Sequence, residues 1–524
     1  HTRYWRDWSS DVCSSDLSLA FLFTAMGYAL SSQTKPNIIL FLVDDMGWQD
    51  CSVPFWDRPT KNNTIYETPH LETLAANGIK FTNAYAHPVC TPTRISIMTG
   101  MNVARHGVTN WTNVHKDTPT DHPDELLSPA KWNYNGWSND PTIPYSITAT
   151  PLPLVLKNAG YYTIHCGKAH FAPYGVGGSD PTHLGFDVNI AGSAAGNPGS
   201  FLAEDAYGGL KGDTLWAIKG LTEHINKREF LTDALTAEAI HSMDVAKEKG
   251  KPFFLYMAHY AVHLPFSKDT RFYQKYIDKG LTETEAKYAA LIEGMDKSLG
   301  ELLDHLKKIG AEQNTYIIFM SDNGGLSLAP PRSGGMHTQN LPLKKGKGSL
   351  YEGGIRIPFI LAGPGINKGD VSQQYIIAED LFPTVLGWAG IKHPKLIQKV
   401  DGKNISAFVQ NPKKIDQKKI LLWHYPNNWT NINEHGISWS SAIRQGKWKM
   451  IYFHKDQKLE LYNITDDIQE EKDLSEQEPQ QLKKMASFMT KELKKKNTQL
   501  PSYKNNSLPI AWPNELKKYF KNNQ

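Results

Sequence analysis

Apolar positions in this chain follow two rhythms. Residues 35–47 (KPNIILFLVDDMG) hold a run that is apolar at every position and stops at two acids and a glycine. A run without polar alternation predicts a strand buried on both faces, as in a parallel sheet. Further strands are predicted over 161–166 (YYTIHC), 251–259 (KPFFLYMAH) and 315–321 (TYIIFMS). Between them the spacing turns helical. Residues 68–78 carry Leu71, Leu74 and Ala75 on one face, with Thr68 as N-cap, Pro69 in the first turn and Asn77-Gly78 as the stop. Helices are also predicted over 151–160, 237–247 and 378–390. The clearest one spans 288–309, where Leu291, Met295, Leu299, Leu302, Leu306 and Ile309 form one stripe.

Near residue 411 the pattern changes. Short strands at 419–425, 440–444, 447–453 and 459–462, with turn residues between them, predict an antiparallel meander. An amphipathic Lys/Glu-rich helix is predicted over 474–496, followed by a polar tail that wraps or lies loose. The fold class read from this is α/β: a large mixed, mostly parallel sheet flanked by helices, plus a smaller C-terminal α+β subdomain with an antiparallel sheet and one helix. The divisions are 1–33, 34–410 and 411–524.

The strand ends carry chemistry. Asp44-Asp45 ends the first strand and Asp322-Asn323 ends the one at 315–321. Paired acids repel in a bare site and suit a hard divalent cation with oxygen ligands; the bland alternative is a solvated turn. Lys168 and His170 follow the strand at 161–166, and His259 and His263 follow the one at 251–259. In an open α/β sheet, sites form beyond the carboxyl ends of the strands. Lys344, Lys345 and Lys347 lie close together in a Gly-rich segment, where a solvated loop is the ordinary reading. No nucleotide-binding glycine motif opens a helix after a strand.

Residues 88–100 (PVCTPTRISIMTG) change the picture. Alone, Cys90 reads as a small buried hydrophobe. The order Cys90-x-Pro92-x-Arg94, however, resembles the signature of type I sulfatases, within the alkaline phosphatase superfamily. Five other segments resemble that family too: 35–47, 68–81, 167–170 (GKAH), 322–325 (DNGG) and the Lys347-Gly-x-x-x-Glu352-Gly-Gly-x-Arg356-x-Pro358 pattern. The resemblance covers about residues 35–410.

The resemblance implies an alkaline-phosphatase-like fold and a sulfuric ester hydrolase. It implies that a formylglycine-generating enzyme oxidises Cys90 to formylglycine, whose hydrate attacks sulfur. It also implies one calcium ion held by Asp44, Asp45, residue 90, Asp322 and Asn323, with magnesium as the near competitor. By the same likeness Arg94 fixes the hydrate, Asp322 takes its proton, and Lys168 and Lys347 neutralise sulfate oxygens. His263, preferred to His259, protonates the leaving oxygen, and His170 helps the sulfated adduct collapse. Glu352 and Arg356 shape a turn, and Lys344 and Lys345 stay solvated. A further histidine that the family often has finds no match, since 189–197 holds none. The superfamily also contains phosphodiesterases and phosphonate monoester hydrolases, and a non-catalytic sugar-binding relative is the other alternative.

Loops rich in Trp, His and polar residues, around Trp111–Trp137 and from Trp423-His424-Tyr425 to His435, suit a sugar. The expected substrate is a sulfated polysaccharide or its oligosaccharides. Net charge is +4, from 57 Lys+Arg against 53 Asp+Glu, which argues against a nucleic-acid partner. Four cysteines (Cys13, Cys51, Cys90, Cys166) show no zinc spacing, and a Cys51–Cys166 pair stays open. Residues 17–30 (LSLAFLFTAMGYAL) read as the core of a signal peptide, too short to span a bilayer. Residues 1–16 fit that role poorly and read as foreign. The expected location is periplasmic or extracellular, with a mature start near Gln33 and no membrane span.

Overall fold

A computed structural model describes residues 35–520 apart from 213, 329–336 and 433. Cys13 and the apolar run at 17–30 lie outside the described residues. Residues from Lys35 onward form one compact unit.

Its centre is an eight-stranded sheet: β1 Asn37–Val43, β2 Gly78–Tyr85, β3 Tyr162–Gly167, β4 Val188–Ile190, β5 Phe253–Ala258, β6 Thr315–Ser321, β7 Phe359–Ala362 and β8 Asp370–Ile377. The strand order is β4-β3-β5-β1-β6-β7-β2-β8. Only β7 runs against its neighbours. The mixed, mostly parallel α/β fold read from the sequence is therefore present. The unbroken apolar run of β1 has the expected cause. Ile39, Phe41 and Val43 pack into one core and Ile38, Leu40 and Leu42 into another, on the opposite face of the sheet.

Helices cover both faces. The long one is Glu283–Lys308, starting a turn before the apolar stripe because the Thr282 hydroxyl accepts from Glu285 N at 3.3 Å. The helix predicted at 237–247 begins earlier, as Leu231–Glu248. Pro69–Ala76 starts after Thr68 as expected, but the Thr68 hydroxyl does not cap it. That oxygen accepts from Ser52 N at 2.9 Å. The free N–H groups of His70 and Leu71 donate instead to Asp296 on the long helix, at 3.0 and 2.8 Å. A distant carboxylate thus does the local cap's work and ties two helices together.

The meander β9 Ile420–Tyr425, β10 Ser440–Gln445, β11 Trp448–Phe453 and β12 Lys458–Asn463 is antiparallel throughout. Its helix, Pro479–Lys495, starts five residues later than predicted, with Pro479 in the first turn. Leu482, Met485, Met489 and Leu493 bury one helix face against Met450, Leu459 and Leu461. The tail is not loose: Ser502–Tyr503 pairs with Leu127–Ser128.

Three expectations change here. Trp423 and Tyr425 do not face a substrate. Trp423 is fully buried and its indole donates to Ala86 O at 2.9 Å, and Tyr425 donates to Asn110 Oδ1 at 3.1 Å. Both face inward from β9 and join the small sheet to the large one. Lys344 and Lys345 are not solvated. Lys344 Nζ donates to Glu470 O at 3.1 Å above the Tyr351 ring, and Lys345 pairs with Glu434. Cys51 and Cys166 are unpaired, each buried with its thiol on a carbonyl, Val53 O and Leu235 O. Among the described residues no helix is long and apolar enough to cross a membrane.

Glu352 does more than shape a turn. It sits fully buried between the sheets, accepting from Lys449 Nζ at 2.9 Å, Arg356 Nε at 2.7 Å and Tyr85 Oη at 2.8 Å. Lys449 also reaches Glu470 at 2.8 Å. Removing one member of a buried charge set leaves the others without compensation. Lys449→Met is expected to lower unfolding free energy by about 3–5 kcal/mol, read from urea unfolding. Wild-type stability in that variant would contradict this role.

Candidate active site

The tips of β1 and β6 are laced together. Asp45 N donates to Asp322 Oδ1 at 3.2 Å, Met46 N to Ser321 Oγ at 3.0 Å, and Asp322 N to Val43 O at 3.0 Å. Asp45 adopts a left-handed backbone at φ 61°. Few residues besides Gly, Asn and Asp accept this conformation readily. The bend brings Asp45 Oδ1 within 2.8 Å of the Asn323 amide nitrogen.

Cys90 is the first residue of the helix Cys90–Thr99, so its side chain stands at the positive end of the helix. Arg94 lies one turn further on. Its Nε and Nη2 donate to Asp322 Oδ2 at 3.0 and 2.8 Å, and its Nη1 donates to Lys168 O at 2.9 Å. Cys90 and Arg94 are nearly or fully buried.

Lys168 follows β3 after Gly167, whose φ is 97°. A Cβ on Gly167 would lie 2.0 Å from Ala258 O, so a side chain there would push the two strand tips apart. Lys168 Nζ donates to Asp44 Oδ2 at 2.6 Å. His170 Nε2–H donates to Thr112 O at 2.9 Å, which leaves Nδ1 buried without a partner. His170 packs on Gly196, where a Cβ would lie 2.5 Å from the ring.

Lys347 Nζ lies 2.6 Å from Asp45 Oδ1 and donates to Asp45 Oδ2 at 2.9 Å. Its third contact is His263 Nε2, at 3.2 Å. His263 Nδ1–H donates to Leu264 O at 3.0 Å, so Nε2 is the acceptor toward Lys347. His259 stays in the core, 2.9 Å from Ser298 Oγ and against Phe41.

All ten residues singled out in the sequence therefore meet at one end of the sheet. Three acids (Asp44, Asp45, Asp322) face three cations (Arg94, Lys168, Lys347). Burial and then Asp322 push the Asp44 carboxyl up. Burial also opposes ionisation of Asp45, but Lys347 and His263 outweigh it and hold this carboxyl below the usual range. Burial moves the Cys90 thiol up against the pull of Lys168 and Lys347. His263 is brought down to about 3 by burial, against Asp45.

A cavity of about 320 Å³ opens over this cluster. Asp45, Cys90, His170, His263 and Lys347 form its floor, and Trp111, Trp216 and Trp429 line it. Arg94, Lys168 and Asp322 lie outside the lining, fully buried. Trp216 and Asn197, which also lines the cavity, were not legible in the sequence: each is a single residue in an irregular segment that carries no periodic signal.

The donor set suits a hard cation. Asp44 Oδ1 and Asn323 Oδ1 are buried and accept no hydrogen bond. Asp44, Asp45, Cys90 and His263 each bring one ligand atom within 4.8 Å of the others. Unpartnered carboxylate and amide oxygens beside further carboxylates are what calcium or magnesium requires. His263 joins this group; Asp322 has its Oδ2 committed to Arg94.

The chain has relatives among known proteins. A family model described as Sulfatase matches residues 36–391. A second, described as N-sulphoglucosamine sulphohydrolase, C-terminal, matches residues 346–499. A sulfatase of Formosa agariphila is 29% identical, over 94% of this chain and 96% of its own. The mouse N-acetylgalactosamine-6-sulfatase is 30% identical, over 81% and 79%. Among solved structures, Ps i-CgsB in complex with k-i-k-neocarrahexaose superposes with a TM-score of 0.68 at 28% identity, covering 88% of this chain and 93% of that one.

Calcium is expected to raise the melting temperature and a chelator to reverse the rise. At 100 times Kd the gain is about 2.7 kcal/mol. Asp44→Asn should abolish most of the shift. A melting temperature indifferent to divalent cations would contradict the donor-set reading.

Proposed function

The chain belongs to the sulfatase family and is a sulfuric ester hydrolase, and on that premise we propose that it removes sulfate from a sulfated carbohydrate, a polysaccharide or its oligosaccharides. The observation that carries this is the shared floor of Cys90, Asp45, His170, His263 and Lys347 beneath three tryptophans. Aromatic faces suit pyranose rings, and Lys347, the only lysine among the described lining residues, belongs to the charge cluster. A relative named N-acetylgalactosamine-6-sulfatase and a similar structure solved with k-i-k-neocarrahexaose support the same substrate class.

Two groups complete the reading. Formylglycine made from Cys90 by a maturation enzyme supplies an aldehyde hydrate as nucleophile. Calcium would be held by Asp44, Asp45, residue 90, Asp322 and Asn323, and would supply Lewis-acid chemistry there.

The chain's own side chains do the rest. Arg94 fixes Asp322 from below with two hydrogen bonds, keeping that carboxylate ionised and oriented. Lys347 reaches the cavity and neutralises sulfate oxygens, while Lys168 adds positive charge from under the floor through Asp44. The Lys347–His263 contact is a route for a proton to the leaving oxygen. His170, in the same lining as Cys90, offers its unpartnered Nδ1 as a base. Residues 34–410 hold this chemistry, and 411–524 close one side of the cavity with Trp429. The apolar run at 17–30 supports export to the periplasm or beyond.

Cys90→Ala should lower kcat by about 10⁴-fold or more, the scale seen on removing a nucleophile. His263→Gln should slow a sugar sulfate by about 10²–10⁴-fold, and 4-nitrophenyl sulfate far less, because that leaving group needs no proton. Parallel assays on phosphate diesters and phosphonate monoesters separate the alternative activities. Turnover of those esters above the sulfated sugars, or of aryl sulfates alone, would sink the reading.

A further inference from the structure

A second cavity, about 670 Å³, adjoins the first: Thr430 and Ile432 line both. Its volume lies in the range that holds ligands of several rings, about 300–1,000 Å³. Four carboxylates line it, from Asp124, Glu125, Glu434 and Asp456. Lys455 is the one lysine or arginine among the described lining residues, and it is committed to Asp124 at 2.7 Å. Glu434 is bound from behind by Lys345 and His337. Glu125 is exposed, and Asp456 is mostly exposed with His435 at 3.5 Å. Trp439 also lines the cavity, only 4% exposed, and its indole N–H finds no acceptor. Leu126 and Ile432 add exposed apolar surface, 44% and 36%.

We propose that this cavity binds the sugar next to the sulfated one and selects a neutral, unsulfated unit there. The inference rests on the sulfatase reading and deepens it. A sugar hydroxyl can donate to the exposed carboxylates of Glu125 or Asp456. A sulfate has no proton to give and meets the carboxylates as a like charge. The exposed carboxylates therefore favour hydroxyls, and the excess of acid disfavours a second sulfate or a uronate. The enzyme accordingly works on sparsely sulfated chains, where each sulfated sugar is flanked by an uncharged one. In a densely sulfated polymer it needs a prior desulfation of the neighbouring unit.

The test uses two galactan tetrasaccharides with the same scissile sulfate, one of which carries a further sulfate on the next residue. At low salt kcat/KM is expected to be about tenfold higher for the singly sulfated one. In Glu125→Gln/Asp456→Asn this ratio should fall about threefold or more, and added salt should lower it in the wild type. Using a ratio on one enzyme cancels any general loss of activity. Equal rates on the two substrates, preference for the doubly sulfated one, or a ratio unmoved by the double substitution would overturn the proposal. Failure of the underlying reading looks different: no sulfate release from any ester, 4-nitrophenyl sulfate included.

Discussion

Three carboxylates and three cationic side chains share one buried space at the end of the sheet, and this balance is the constraint on which the site depends. Asp44, Asp45 and Asp322 repel one another across a low-dielectric pocket. Arg94, Lys168 and Lys347 offset them through contacts between 2.6 and 3.0 Å. A divalent cation added to a neutral set leaves two positive charges to be matched. A sulfate monoester with an ionised nucleophile carries two negative ones. On the proposed reading the polypeptide would be charged to bind that pair, and a neutral substrate would leave the excess uncompensated.

The architecture explains how residues far apart in the chain reach this balance. Parallel strands end at the same edge, so β1, β3, β5 and β6 deliver Asp44, Lys168, His263 and Asp322 to neighbouring positions. The helix Cys90–Thr99 brings in the nucleophile candidate and Arg94 from the loop after β2. Close backbone approaches, such as Gly167 on Ala258, hold the tips together. The small sheet is joined through Trp423 and the buried Glu352–Lys449–Glu470 set, and Trp429, Thr430 and Ile432 beyond its first strand line the cavity. Stability of that joint and shape of the substrate site are therefore coupled.

Much of this was legible beforehand because the signals were local. The run at β1, the stripe of the helix Glu283–Lys308 and the paired acids at strand tips each follow from a few adjacent residues. The misses share a cause, which is that they depend on partners distant in sequence. Thr68 has the right type for a cap, but Asp296, 226 positions from His70, takes the role. Trp423 and Tyr425 look like a sugar platform until the large sheet covers them. Lys344 and Lys345 read as solvated because Glu470 and Glu434 lie far along the chain. Trp216 gave no signal at all.

The central claim is that residue 90 works as an aldehyde hydrate above this charge cluster and not as a thiol. Mass spectrometry of the residue-90 peptide, from active enzyme made in a host that oxidises such cysteines, tests it directly. The account predicts a peptide lighter than its cysteine form, reactive toward a hydrazide and inert to thiol alkylation. Full alkylation of a cysteine at this position, in enzyme that still releases sulfate, would contradict it.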